Sequence, residues 1–309
     1  MRTRRIGSLD VSVVGVGCNN FGGRVDEAGT KRVVDAALAA GVNFFDTADI
    51  YGGAGNPGRS EEYLGRALRG RRGEALIATK FGKPMDEKRR GARPEYVRRA
   101  CDDSLRRLGV DHIDLYQQHE PDPSVPIAET LGALNDLVRE GKVREIGCSN
   151  FSVEQLREAE AAVRPGEARF VSVQNEYSLF EREPEAGMLA ECTRQGVAFI
   201  PYFPLASGLL TGKYRRGHPA PEGSRLAGGR YDSMLSPENL ERVEGLIAFA
   251  ESRGHTLLEL AFAWLLARPP VASVIAGATK PEQVKANAAA AVEWAFSDAD
   301  LAEIDRVMG

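Results

Sequence analysis

Cysteine is scarce in this chain of 309 residues, and the four that occur, Cys18, Cys101, Cys148 and Cys192, form no Cys-x-x-Cys pair. That scatter argues against a zinc site and a disulfide framework, and it fits a reducing compartment such as the cytoplasm. No metal is expected. Nor does any apolar run approach the ~20 residues a membrane span needs; the stretch 257–267 is too short and contains Glu259. A basic excess is missing as well. Forty Lys and Arg stand against 44 Asp and Glu, a net charge of −4 with a pI near 5.8, which gives no general attraction to nucleic acid or to an anionic membrane. The short basic clusters at 69–72 and 88–90 are interleaved with carboxylates and read as solvated faces. Arg2, Arg4 and Arg5 precede an apolar stretch ending at Cys18, in the manner of an export signal. Asp10 interrupts that stretch, however, and its length is marginal, so a first strand is expected there.

Hydrophobic content of 43% and charge of 27% are those of a globular protein able to bury a large core. Strand-length apolar runs at 13–17, 42–46, 76–81, 113–118, 143–149, 170–174, 197–202 and 271–276 alternate with helical patterns at 30–40, 60–68, 94–108, 127–140, 153–162, 185–194, 257–267 and 281–290. Eight β-then-α units without a linker predict an α/β fold, a (β/α)8 barrel forming a single domain over 1–309. An N-terminal hairpin (4–9, then 11 onward), a long segment at 203–253 and a final helix near 298–307 are surplus to the barrel. Gly41 and Gly109 are placed as C-caps, Thr30 and Ser152 as N-caps, and Pro94 in a first helical turn. The stretch 219–236, rich in Gly, Pro, Ser and charge, reads as a lid or as disorder. A doubly wound dinucleotide fold is the competitor, but Gly15-Val16-Gly17-Cys18-Asn19-Asn20 has asparagine where the third glycine belongs.

Three polar residues close or directly follow strand signals: Asp46, Lys80 and His119. Tyr51 follows five residues after Asp46. In a parallel barrel such strand ends converge on one face, where the chemistry is carried. A free phenol has a pKa near 10; a nearby ammonium would lower it and turn Tyr51 into a proton donor at working pH. Asp46 would keep Lys80 charged by pairing with it, and His119 would orient a substrate oxygen. Lysine is rare here, eight against 32 arginines, which makes one at a strand end conspicuous. Asp49 reads as a solvated or loop-bonding residue.

The run Asn43-Phe44-Phe45-Asp46-Thr47-Ala48-Asp49-Ile50-Tyr51 resembles the first signature of the aldo-keto reductases, and similar matches recur at 59–65, 114–119, 141–151, 204–213 and 277–283. The resemblance covers nearly the whole chain. It implies a barrel that binds NADPH without a Rossmann fold, with Tyr51 as proton donor, Asp46 and Lys80 as its tuning pair and His119 orienting a small carbonyl substrate. It also implies the cofactor contacts. Ser149, Asn150 and Gln174 would bond the nicotinamide carboxamide, and Tyr202 would stack on its ring. The stretch from Gly208 through Leu210 to Lys213 would wrap the pyrophosphate, and Pro204, Leu205 and Ser207 would be further cofactor contacts. Gly277, Ala278 and Thr279 lead into a helix start suited to an anion, where Lys280 would meet the 2′-phosphate and Gln283 and Asn287 the adenine. Gly17, Cys18, Asn19 and Asp46 complete the set.

Phe203 stands where many relatives have serine, the loop 52–58 is longer than in compact members, and the chain stops soon after its last helix. Together with Phe21 and Phe81, these features predict a shallow, partly apolar entrance accepting small aromatic and medium-chain aldehydes. Two other readings compete. One is an NADPH-binding redox sensor resembling potassium-channel β subunits. The other is a Schiff-base aldolase using Lys80, which a charged, paired lysine disfavours. Natural substrate, reaction direction and oligomeric state stay open.

Overall fold

The computed structural model describes residues 1–227 and 232–309; residues 228–231 of the expected lid lie outside the described residues. Strands β1 (Thr3–Ile6) and β2 (Leu9–Ser12) form the expected antiparallel hairpin. Eight parallel strands follow: β3 (Val14–Gly17), β4 (Phe44–Asp46), β5 (Leu76–Phe81), β6 (Ile113–Gln118), β7 (Val143–Ser149), β8 (Phe170–Glu176), β9 (Ala198–Tyr202) and β10 (Val274–Gly277). They pair in the order β10-β3-β4-β5-β6-β7-β8-β9. A parallel bridge between Phe199 and Val271, with Phe199 N donating to the Pro270 carbonyl at 2.7 Å, joins β9 to the approach of β10 and rounds the sheet into a barrel. This is the (β/α)8 barrel expected from the alternation of periods.

The helices are α1 (Glu27–Ala39), α2 (Arg59–Ala67), α3 (Pro94–Leu108), α4 (Ile127–Arg139), α5 (Val153–Ala162), α6 (Met188–Gln195), α7 (Pro237–Ser252), α8 (Leu257–Leu266), α9 (Pro281–Ala289) and α10 (Asp298–Met308). In α3, Val97, Ala100, Cys101, Ser104 and Leu108 form one buried stripe, the period of a helix laid on a sheet. Pro94 opens that helix and Gly109, at φ 67°, closes it. Ser152 forms a capping box with Gln155. Thr30, by contrast, is not a cap: Asp26 takes that role by accepting from Gly29 N, and Thr30 is buried one turn inside α1. Helix α7 was not expected, although Ser236 caps it and Pro237 opens it. Among the described residues no helix is long and apolar enough to cross a membrane.

Side chains alternate between the two faces of each strand. On β5, Ile77 and Phe81 join the outer core under the helices, while Leu76 and Ala78 face the barrel axis, which turns Lys80 inward too. The hairpin closes the amino-terminal end of the barrel. Its Ile6, Leu9 and Val11 pack on Phe44, Ala78, Leu115, Ile200 and Ile275. Ser8 N donates to Glu145 at 2.7 Å, and Arg4 donates to the Leu266 carbonyl at 2.7 Å. The barrel is therefore apolar at one end and polar at the other.

Candidate active site

Four strand ends deliver the polar floor. Asp46 is the last residue of β4; Lys80 and Gln117 are next to last in β5 and β6, and Gln174 lies on β8. Lys80 Nζ donates to Asp46 Oδ2 at 2.6 Å and to the Thr47 carbonyl at 2.9 Å, and Lys80 is wholly buried. The other Asp46 oxygen accepts from Gln117 at 3.2 Å and Gln174 at 3.0 Å. Tyr51 sits on the loop that leaves β4. A chain of bonds holds that loop, with Thr47 Oγ1 to Ser60 Oγ at 2.8 Å, Ser60 Oγ to the Cys18 carbonyl at 2.8 Å, and Ser60 N to the Tyr51 carbonyl. The Lys80 ammonium lies 5.2 Å from the Tyr51 ring centroid, and the His119 ring meets Tyr51 edge-on at 5.8 Å. The structure thus brings all four expected residues together.

Burial raises the Tyr51 phenol above its usual range; Lys80 pulls it down and Asp46 pushes it up. Lys80 therefore offsets the desolvation of the phenol without reversing it, a correction to the lowered pKa expected from their proximity. Lys80 itself is held above its usual range: burial opposes the charge, but Asp46 and Tyr51 together with Cys18 more than compensate. Such an amine is no Schiff-base nucleophile. Burial, then the charges of Lys80 and Lys83, push His119 well below the usual imidazole range, so it is neutral. Its Nδ1 is buried without a partner, which leaves Nε2 as the ring nitrogen open to the cavity.

Asp46, Tyr51 and His119 line one end of a cavity of about 510 Å³, with Lys80 buried behind them. Ser149, Asn150 and Gln174 line one wall. Ser149 Oγ donates to the Gln174 carbonyl at 2.7 Å, and Asn150 Nδ2 to the His119 carbonyl at 2.9 Å. Tyr202, the last residue of β9, presents its ring to the cavity while its hydroxyl donates to Asn150 Oδ1 at 2.8 Å. Beyond it, Pro204, Leu205, Ser207, Gly208 and Lys213 continue the wall. On the β10 side come Gly277 and Thr279, then Gln283 and Asn287 of α9, facing Gly17 and Asn19. Asn150, Phe203, Ala206 and Ser207 all hold positive φ, between 44° and 61°. Such strain persists only where surroundings enforce it, and it gathers at functional sites.

Four residues of the expected cofactor set do not line the cavity. Cys18 is buried behind the wall, its N–H donating to the Asp46 carbonyl and its own carbonyl accepting from Ser60 Oγ. Leu210 and Ala278 belong to the core. Lys280 is the exposed N-cap residue of α9, outside the cavity. Phe21 and Phe81 are likewise fully buried in the core, so of the three phenylalanines expected at the entrance only Phe203 lines it. In their place stand Arg24, Lys83 and Arg225. Arg225 lies in the segment read only as a lid. Lys83 carried one usable signal, being one of eight lysines and three residues beyond Lys80.

Asp49 overturns its expectation too. It is fully buried, and neither carboxylate oxygen has a partner. Burial, then the Glu61 charge, push its pKa up to about 8, against a downward pull from Arg107. Glu61 is itself bonded to Arg107 and Thr79, both at 2.6 Å.

The cavity fits an elongated polyanion. Arg24, Lys213 and Arg225 line it on the β9 and β10 side and Lys83 lies across from them, against one carboxylate, Asp46, which Lys80 already holds. A Cβ on Gly277 would come within 3.2 Å of Asn20 and 3.4 Å of Asn19, so a glycine there lets β10 pack closely against the loop after β3.

The sequence profile described as the Aldo/keto reductase family matches residues 13–308. An NADP(+) aldo-keto reductase of Schizosaccharomyces pombe is 36% identical, with 98% of this chain and 90% of that protein covered. A probable voltage-gated potassium channel subunit beta of Arabidopsis thaliana is 36% identical, with 90% and 87% covered. The solved glycerol dehydrogenase of Gluconobacter oxydans superposes with a TM-score of 0.84 at 32% identity, over 99% of this chain and 94% of that one. With its barrel, its polar floor and these likenesses, the chain belongs to the aldo/keto reductase family.

Proposed function

We propose that this protein is an NADPH-dependent reductase that converts small aldehydes or ketones to alcohols. The observation that carries this reading is the buried Lys80–Asp46 pair beside Tyr51, with a neutral His119 on the same floor. Bound NADPH would supply a hydride from its nicotinamide. The chain's residues would do the rest. His119, uncharged, would donate from Nε2 to the carbonyl oxygen and hold it beside the Tyr51 hydroxyl. Tyr51 would give up its proton as the alkoxide develops, and Lys80, kept charged by Asp46, would stabilise the phenolate left behind. Ser149, Asn150 and Gln174 would orient the carboxamide, and Tyr202 would support the ring. Lys213 and Arg225 would meet the phosphates. The NADP(+) specificity in the yeast relative's name supports this choice of cofactor.

Likeness to a probable channel β subunit supports a second reading, in which the same barrel holds NADPH and reports redox state with little turnover. Following NADPH absorbance against a panel of aldehydes and ketones separates the two. Steady oxidation of NADPH is expected. Tight NADPH binding with no turnover on any carbonyl would favour the sensor instead.

A further inference from the structure

Lys83 is left over by the chemistry described so far. It follows Lys80 by three residues, on the loop leaving β5. Gly82, at φ 111°, turns the chain, and Gly91 N closes the loop on the Gly82 carbonyl at 2.8 Å. Its side chain is half-buried and lines the cavity. Other charges of this loop are accounted for: Arg89 pairs with Asp86 at 2.7 Å, and Glu87, Lys88 and Arg90 are exposed. Among the described residues no carboxylate lies within ion-pair distance of Lys83. An ammonium drawn partly out of water without a counter-charge is unfavourable unless a ligand brings one.

Position in the barrel says which ligand. In the order β10-β3-β4-β5-β6-β7-β8-β9, strands β5 and β6 lie diametrically across from β9 and β10. Lys213 and Arg225 belong to the segment after β9, lying over the rings of Tyr214 and Phe203 at 5.1 and 5.3 Å. Arg24 is bonded to the Gly223 carbonyl at 3.3 Å on that same segment. Those three cations serve the arc assigned above to the dinucleotide. Lys83 stands on the opposite arc, close enough to His119 for its charge to act on the imidazole. Its charge therefore faces the space where the carbonyl compound would lie.

Resting on the carbonyl-reductase reading, we infer that Lys83 anchors a negatively charged group on the substrate, so that the preferred substrates are short aldehydes carrying a carboxylate or a phosphate away from the carbonyl. This replaces the apolar entrance expected from Phe21 and Phe81. An ammonium that reaches the anion from a half-buried loop should contribute roughly tenfold in KM, the lower end for a charge-assisted contact.

Matched pairs of probes test it: succinic semialdehyde against butanal, and glyceraldehyde 3-phosphate against glyceraldehyde, each with NADPH at low ionic strength. Wild-type kcat/KM should favour the charged member, and the pair with the larger ratio tells carboxylate from phosphate. Added salt should shrink that ratio. Lys83→Met should lower the charged-to-neutral ratio roughly tenfold, chiefly through KM. Lys83→Glu should lower it further, and Lys83→Arg should keep most of it. Folded Lys83→Met and Lys83→Glu proteins whose ratios stay within about twofold of wild type would overturn the assignment. Absence of turnover on all four aldehydes would overturn the reductase reading and this one with it, whereas turnover with an unchanged ratio removes Lys83 alone.

Discussion

Lys80 and Asp46 meet at 2.6 Å with side-chain exposures of 0% and 5%, so each is the other's counter-ion. Removing one partner strands the other. Lys80→Met should abolish carbonyl reduction and cost about 3–5 kcal/mol of stability in denaturant unfolding, the penalty for an unpaired buried charge. The double variant Lys80→Met with Asp46→Asn should recover much of that stability and none of the turnover. Recovery of both would mean the pair is structural only.

Tyr51→Phe keeps the ring that meets His119 edge-on and removes only the hydroxyl. Turnover should fall by about 10²–10⁴, the usual contribution of a general acid, while NADPH affinity measured by fluorescence titration stays nearly unchanged. Near-wild-type turnover would assign the acid elsewhere.

The pH profile follows from two displaced groups. His119 is held well below the usual imidazole range and Tyr51 above the usual phenol range. Neither changes protonation near neutrality. With a neutral aldehyde, kcat/KM should therefore vary little between about pH 6 and 9. A limb centred near the ordinary imidazole pKa would show that His119 titrates after all.

Asp49 links stability to pH. Its carboxyl moves from 3.8 to about 8 on folding. Below the lower value both states are protonated and nothing is lost. Between the two, the unfolded chain sheds a proton that the folded chain keeps, so stability declines as pH rises, and above about 8 the loss is complete. Asp49→Asn should therefore be more stable than wild type, with a gap that opens across this window and then levels off. Denaturant unfolding at a series of pH values reads it, and a gap independent of pH would contradict the linkage.

Lys280 stands outside the cavity at the exposed start of α9, beside Thr279, whose N–H and hydroxyl are both given to Gln283. From there it would reach a 2′-phosphate through solvent. Lys280→Glu should weaken NADPH binding by roughly tenfold, leave NADH little changed and reduce the salt dependence of NADPH binding. Calorimetric titrations giving the wild-type ratio of the two affinities would make Lys280 a plain surface residue.

Much of the barrel was legible because two periods alternate along the chain; β5, β6 and β7 begin and end where their apolar runs do. Asp46, Lys80 and His119 were legible as polar residues at the ends of those runs. The misreadings have physical causes. Phe21, Phe81, Cys18 and Leu210 adjoin the site in sequence yet are buried in the core. For Phe81 the alternation of faces along β5 does this; Cys18, Phe21 and Leu210 lie in loops and a tight turn, where no period points the side chain. Arg24, Lys83 and Arg225 come from loops too. Asp49 reads from the sequence as solvated or loop-bonding because a short acidic side chain in a loop ordinarily meets water or backbone. The charges that act on the buried group, Glu61 and Arg107, come from α2 and α3.

The hairpin beneath the barrel has a consequence for traffic. With Ile6, Leu9 and Val11 stoppering the amino-terminal mouth, the polar floor is reached, among the described residues, from the opposite end, the doorway lined by the cavity residues. On the reductase reading, reactants and products would share that doorway, with the deeper ligand leaving past the one above it. The stopper also separates two tasks along one axis. Exchanges of loops at the doorway can retune what enters, while the seal below goes on holding the staves together.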